Sequence, residues 1–439
     1  MPKGAPGWGR PGAPRPRGAC STRRASSLST WWTRRVPRTA SSSAGSRRGR
    51  GLGSVIAAGS ALAVGGAPDD AALEASLGAL AASGAERADL ALVFVSSDAG
   101  PRAHELLHAV RRATGARVVL GCSGAGVLTE RREVEEGPAV AVLVARGERL
   151  VVTPFLLAAQ GRGTGDEVAQ RIGPTVAEGG CLLVLPDALG LDPRGLLDGL
   201  HEALGFVPVV GAVAAGEPAF ELYATDAAQG ALAGVALSGL EPMIGVAQGC
   251  TPIGEPYVVT RADGNVIQQI AGRSALEVLG DAIRALPQGA ERIRRAGVFA
   301  GLAMDPAKSP LERGDFLVRN LVGIDQASGA VAVAERVRVG QTVQFQIRDA
   351  EASREDLTAT LEALAARLGG RRPAFGAYFD CAGRGQGLFG VADHDVTLIR
   401  KHLGEFPLVG FFGNGEFAPV GRRNFFHNYT GALVVFPEA

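Results

Sequence analysis

The chain has 439 residues, of which 45 are Lys or Arg, 44 Asp or Glu, 62 Gly, 25 Pro and 5 Cys, and 46% are hydrophobic. That length and apolar content suffice for roughly two or three ordinary domains and exclude disorder throughout. The net charge of +1 is the sum of two unlike parts: residues 1–50 hold Lys3, 11 Arg and no acid, which leaves 33 basic against 44 acidic residues, a net of −11, for the remainder. Nucleic acid is therefore not the partner expected of the folded part.

The basic stretch also holds all three Trp (Trp8, Trp31, Trp32) among Arg, Ser, Gly, Pro and Ala, a composition that cannot bury a core. Arg23-Arg24 or Arg34-Arg35, followed by the apolar run Val55–Ala67, has the parts of a twin-arginine leader. That run is Gly-rich, lies far downstream of either pair and is usable as a first strand, so residues 1–51 read as a disordered basic tail or an over-long gene start. No apolar run reaches the roughly 20 residues that span a bilayer. The five Cys are far apart and form no C-x-x-C, against a disulfide framework or a zinc knuckle. The expectation is a soluble protein of the reducing cytoplasm, without metal, cofactor or membrane insertion.

Periodicity then gives strands alternating with helices, and three stretches repeat one order of elements. In the first, Leu90–Val95 is a buried strand, Arg102–Ala113 an amphipathic helix and Arg117–Leu120 a second strand, followed by Gly121-Cys-Ser-Gly-Ala-Gly126 and a strand over Ala139–Val144. In the second, Cys181–Leu185, Pro193–Leu204 and Phe206–Val210 precede Gly211-Ala-Val-Ala-Ala-Gly216-Glu217 and a strand over Ala231–Leu237. In the third, Phe375–Phe379, helix Val396–Leu403 and Pro407–Val409 precede Gly410-Phe-Phe-Gly-Asn-Gly415-Glu416 and a strand over Ala432–Phe436. With so many glycines a lone G-x-x-x-x-G arises about nine times by chance, so only this shared context gives the loops meaning. The unit is a β-α-β-(Gly loop)-β, used three times.

Between the second and third units the rhythm changes. Tyr257–Thr260 and Asn265–Ile270 flank an Asp263-Gly264 hairpin turn, a helix begins at Ser274, Phe316–Ile324 and Ala330–Val333 form a second strand pair, and Thr342–Arg348 alternates as a half-buried strand. Ser353 is placed as the N-cap of a helix running to Gly369-Gly370. The fold class is α/β, with mixed β-sheets flanked by helices in two lobes joined near residues 250–256. The domains are expected over residues 52–252 and 253–439.

A Walker loop needs Lys and then Ser or Thr after its last glycine; here Val127, Glu217 and Glu416 stand there. A carboxylate would repel phosphate but suits an amine-bearing ligand, or caps neighbouring backbone N–H groups. Arg384, between two glycines, is suited to hold a carboxylate bidentately, with a surface Arg on a turn as the alternative. His427-Asn-Tyr-Thr430 adds polar groups that would converge with Arg384 and Glu416. Cys381 and Cys122 sit at strand ends, where a thiol can face a cleft; with His427 as base, Cys381 would make a nucleophile, while a small buried Cys is the plainer reading. His104 and His108 share a helix face without an evident third ligand, which reads as a solvated face.

Asp89–Ser96, Val118–Gly126, Gly211–Glu217, Cys381-Ala-Gly-Arg-Gly385, Pro407–Glu416 and His427-Asn-Tyr-Thr430 together resemble the FIST family of bacterial sensory domains, with its N-terminal and C-terminal halves, over roughly residues 52–439. The resemblance implies a small ligand, with amino acids proposed, and signal output through kinase, cyclase or chemotaxis modules. No such module is evident in the chain, so a separate signalling partner is expected. The expected pocket lies between the lobes, lined by Arg384, Gly385, Asn414, Gly415, Glu416, His427, Cys122, Ser123 and Glu217, with Arg384 facing the carboxylate of an α-amino acid or similar zwitterion and Glu416 its amine. The alternatives are a Cys-dependent hydrolase or transferase using Cys381 and His427, and a protein-binding scaffold.

Overall fold

The three sequence units are three copies of one arrangement in space. The computed structural model describes residues 56–96, 102–158, 163–176, 179–188, 192–216, 219, 221–223, 226–228 and 231–438. Unit 1 runs β1 (Ala57–Val64), α1 (Pro68–Ser83), β2 (Leu90–Ser96), α2 (Ala103–Thr114), β3 (Val118–Gly124), β4 (Val127–Thr129), β5 (Glu133–Val134) and β6 (Ala139–Arg146). Unit 2 repeats this as β7 (Val151–Ala158), α3 (Thr164–Ile172), β8 (Gly180–Pro186), α4 (Pro193–Leu204), β9 (Val209–Ala212), β10 (Glu221–Tyr223), β11 (Asp226–Ala228) and β12 (Ala231–Ser238).

Unit 3 opens with β13 (Met243–Gln248) and is then interrupted. The insertion comprises β14 (Cys250–Pro252), β15 (Tyr257–Asp263), β16 (Val266–Ile270), β17 (Arg273–Ser274), α5 (Ala275–Ala285), α6 (Gly289–Ala296), β18 (Val298–Ala303), β19 (Phe316–Asp325), β20 (Ala330–Val333) and β21 (Thr342–Arg348). The unit resumes with α7 (Ala350–Leu368), β22 (Pro373–Cys381), α8 (Gly385–Phe389), α9 (His394–Leu403), β23 (Leu408–Gly413), β24 (Glu416–Val420), β25 (Arg423–His427) and β26 (Thr430–Pro437).

Within each unit the first inner strand lies parallel to its successor and antiparallel to the last: β2 with β3 and β6, β8 with β9 and β12, β22 with β23 and β26. The opening strands β1, β7 and β13 pair outside that last strand. Each unit then gives away the hairpin that follows its Gly loop. The β4–β5 hairpin of unit 1 pairs with β23 of unit 3, β24–β25 of unit 3 pairs with β9 of unit 2, and β10–β11 of unit 2 pairs with β3 of unit 1. The exchange closes a cycle, and each of the three unit sheets has six strands, four of its own and two borrowed.

The apolar runs of the inner strands are continuous because both of their faces are buried. Leu90, Leu92 and Phe94 of β2, Leu183 and Leu185 of β8, and Phe375 and Phe379 of β22 share one core between the sheets. The alternate residues meet helices: Ala91, Val93 and Val95 pack on Leu106 and Val110 of α2, Leu182 and Val184 on α3 and α4, and Tyr378 and Leu408 on α7 and α9.

The inserted strands β21-β15-β16-β20-β19-β18 form a sheet that closes on itself, since β18 also pairs with β21. This barrel has a core of its own, with Val259, Ile267, Val331, Phe345 and Ile347 sealed by Val278 and Leu279 of α5. The hairpin turn at Gly264, the β19–β20 pair and the helix start at Ser274, a capping box with Glu277, are where the sequence places them.

The cap of α7 differs from expectation. Asp349 is its N-cap and accepts from the Ala352 N–H at 3.0 Å. Ser353 lies inside the helix, fully buried, where its hydroxyl donates to the Gly249 and Asp349 carbonyls. An Asp four residues ahead competes for the same role and wins it. Among the described residues no helix is long and apolar enough to cross a membrane.

Candidate functional site

The three Gly loops converge where the hairpins cross between sheets. Ala125 N–H donates to Phe412 O, Ala215 N–H to Ser123 O, and Asn414 N–H to Val213 O, so each loop bonds to the others. Gly121, Gly211 and Gly410 occupy equivalent positions, each beside a parallel neighbour strand. A Cβ there would lie 1.7 Å from Val93 O, 1.9 Å from Val184 O and 1.9 Å from Tyr378 O respectively. The leading glycines thus permit close strand approach. Cys122 and Ser123 are wholly buried at this junction, Asn414 is exposed, and Gly415 is buried. Glu217 lies outside the described residues.

Beside the junction, Arg384 is completely buried. Its Nη2 and Nε donate to Asp395 Oδ2 at 2.8 and 3.1 Å, and Nε lies 2.9 Å from Asp380 Oδ1. Tyr378 donates its hydroxyl to the same Asp395 oxygen at 2.7 Å, and His394 Nδ1 bonds to the other. Burial would raise the Asp395 carboxyl, but Arg384 and its hydrogen bonds hold it well below the usual carboxylate range. Burial and the charge of Asp395 push Asp380 the other way, so the guanidinium is neutralised chiefly by Asp395. Unit 1 reaches into this cluster through its donated hairpin: Glu133 accepts from Val396 N–H at the start of α9, and Glu135 from Gln386 N–H. Burial and Asp395 push Glu133 up to about 8. Arg384 is therefore committed to internal carboxylates and does not line the expected interlobe pocket. The Arg between glycines reflects a helix start packed onto Glu135, which leaves no room for a Cβ at Gly385.

Glu416 is also fully buried. Burial pushes its carboxyl up to about 8, against hydrogen bonds from Thr430 N–H, the Cys381 thiol and Gly415 N–H. His427 is the cross-strand partner of Glu416, but its Nε2 lies 3.1 Å from Ala418 O, and burial pulls its pKa down to about 4. The Cys381 thiol is raised well above its ordinary value by burial and by Glu416. Among the described residues no hydrogen bond joins Cys381 to His427; the Cys381 thiol is paired with the Glu416 carboxyl instead, which opposes thiolate formation.

The space between the barrel and the ring of units holds a cavity of about 580 Å³. One wall is α4 and the β24–β25 hairpin, with Asp192, Arg194, Asp198, Arg423, Asn424, Phe425 and Asn428; the other is the barrel, with Met304, Leu317, Arg319, Glu335, Arg336, Arg338 and Gln341. Arg319, 4% exposed, fastens the two walls: Nε meets Glu335 Oε2 at 3.2 Å, Nη2 donates to Phe426 O at 2.8 Å, and Nη1 to Val318 O and Asn428 Oδ1. Glu335 also takes Arg194 of α4 at 2.8 Å. None of the eight described residues expected at an interlobe pocket is among those lining this one.

The FIST N domain matches residues 89–273 and the FIST C domain residues 275–419. An uncharacterized protein of Mycobacterium tuberculosis, Rv0628c, is 36% identical over 354 residues, 80% of this chain and 91% of that protein. Another, Mb0898c of Mycobacterium bovis, is 36% identical over 359 residues, 80% of this chain and 92% of that protein. The chain belongs to the FIST family. FIST domains are sensory-type signalling domains. The two FIST matches meet at Ser274, the last residue of β17 and the N-cap of α5, so the barrel is built from both. The cavity residues without a Gly-loop signal in this FIST chain, above all Arg319 and Glu335, lie in the barrel, while Asn428 belongs to the polar His427-Asn-Tyr-Thr430 run. A charged Arg319 within an otherwise apolar strand start, Phe316-Leu-Val-Arg319, was the available signal.

Proposed function

We propose that this FIST protein is a small-ligand-binding sensor of intracellular signal transduction, with the cavity between barrel and ring as its ligand site and a separate protein reading its bound state. The observation that carries the reading is the cavity itself: a concave space of ligand size whose two walls come from different parts of the fold and whose floor is fixed by the buried Arg319 network. A ligand bridging the walls would bind the assembled structure and not the separated parts. An α-amino acid or similar zwitterion suits the mixed lining, with guanidiniums for its carboxylate and Asp192 or Asp198 for its amine. The Cys-dependent enzyme is the weaker reading, since Cys381 lacks a base. The test is a thermal-shift panel of amino acids, amines and carboxylates on the full chain. A ligand at 100 times its Kd stabilises the native state by about 2.7 kcal/mol and raises Tm accordingly. A flat panel sinks the sensor reading.

A further inference from the structure

The charge in the cavity is opposite to that of the protein around it. Five guanidiniums line it, Arg194, Arg319, Arg336, Arg338 and Arg423, against three carboxylates, an excess of two positive charges; the chain after residue 50 carries −11. The internal pairing leaves three guanidiniums without an ion pair among the described residues, two on the barrel wall and one on the facing hairpin. Glu335 is taken by Arg319 and Arg194, and Asp192 Oδ1 caps α4 through Gly195 N–H. Arg336, Arg338 and Arg423 make no ion pair among the described residues. Their placement follows from the fold: Val337, buried in the barrel core, turns inward, and its two neighbours Arg336 and Arg338 are exposed and line the cavity. Arg423 comes from the opposite wall, its guanidinium 5.4 Å from the centroid of the Phe425 ring, which also lines the space.

We infer that the ligand is a small organic anion carrying at least two negative charges, one group held by Arg336 and Arg338 of the barrel and the other by Arg423 of the hairpin. The inference rests on the cavity being the ligand site. Guanidiniums recognise carboxylate and phosphate alike by paired N–H donors, so the shared chemistry is the doubly charged acid, and an amine on the ligand is optional. Among the amino acids the mixed lining suits, those with a second acidic group match the excess charge, and one of zero net charge leaves it unmatched.

The experiment compares four probes by thermal shift and calorimetry on the full chain: glutarate, a dicarboxylate without an amine; glycerol 3-phosphate, a phosphomonoester; glutamine; and leucine. Glutarate or glycerol 3-phosphate is expected to raise Tm at millimolar concentration, with affinity at least tenfold above that for glutamine and falling with added salt. Which of the two acts names the acid group. In the Arg338→Gln/Arg423→Gln variant, whose unliganded Tm reports that it folds, that affinity is expected to fall at least tenfold. Equal shifts from glutamine or leucine, or a dianion affinity unchanged in the variant, overturn the inference and leave the sensor reading standing. No shift from either dianion overturns it too, and the sensor reading falls with it only if the wider panel is also flat.

Discussion

Arg384 and Asp395 form an ion pair whose side chains are 0% and 1% exposed, with three donors, two from the guanidinium and one from the Tyr378 hydroxyl, meeting on a single carboxylate oxygen. Such a pair adds little when whole, yet removing one partner strands a charge without water. Arg384→Met is therefore expected to destabilise the protein by about 3–5 kcal/mol. Adding Asp395→Asn should recover part of the loss, because the stranded charge is gone. Urea unfolding of the single and double variants measures both. Equal losses in the two would show that packing and not charge holds the cluster.

Stability against pH follows from the buried groups. Glu133 and Glu416 are pushed from 4.5 up to about 8 by burial, so the folded state binds their protons more tightly than the unfolded state. Their contribution is full below about 4.5 and is lost as pH rises toward 8. His427, pulled from 6.5 down to about 4, acts in the opposite direction, losing stability as pH falls from 6.5. Between these values the terms partly cancel; from pH 6.5 to 8 the two glutamates act unopposed, joined by Asp380, whose buried carboxyl is raised as well. Stability should thus fall most steeply over that upper interval, and Glu416→Gln should reduce the slope by about a third, each proton being worth at most about 1.4 kcal/mol per pH unit. Unfolding free energies at half-unit steps from pH 5 to 9 give the slope directly.

The leading loop glycines differ sharply from surface ones. Gly410→Ala would place a methyl group 1.9 Å from Tyr378 O, in the middle of a buried parallel pair, whereas Gly387 has open space around it. The first substitution is expected to abolish soluble folded protein or cost about 3 kcal/mol or more, by forcing the strands apart. Gly387→Ala, made in parallel, should change Tm by no more than about a degree or two.

The repeated unit was legible because it is written in local patterns: apolar runs of strand length, helix stops at glycine, and a Gly loop at a fixed place. The hairpin exchange was not. β4, β10 and β24 are three to five residues long and pair with strands of other units, and nothing in a short run names a distant partner. The helix α1 was also passed over, since Pro68–Ser83 is largely alanine, with small residues on its buried and exposed faces alike and no sharp apolar stripe. For the site, residue type was a poor guide to exposure. Arg384, Glu416 and His427 stand out in the sequence as polar groups near glycines, and the same proximity reflects a crowded interior where each is held by other buried groups. The cavity residues lie on the inserted barrel and on the hairpin carried to another sheet, so their convergence depends on the long-range pairing that the sequence does not show.

Cys381 gives a direct test of the buried site against the enzyme reading. Its thiol is 7% exposed, hydrogen-bonded to Glu416, and raised well above its ordinary value, so the thiolate that reacts with alkylating agents is scarce at neutral pH. Cys122, Cys181 and Cys250 are buried as well. Iodoacetamide at pH 7 should therefore leave these four cysteines unmodified in the folded protein for hours and label all of them within minutes in denaturant, as read by peptide mass spectrometry. Removing the carboxyl next to the thiol while keeping the shape, with Glu416→Gln, should increase native-state labelling of Cys381 only modestly, because burial still opposes the charge. Rapid, selective alkylation of Cys381 in the native wild type would instead mean a reactive thiol at an open site, and would restore the hydrolase or transferase as the leading reading.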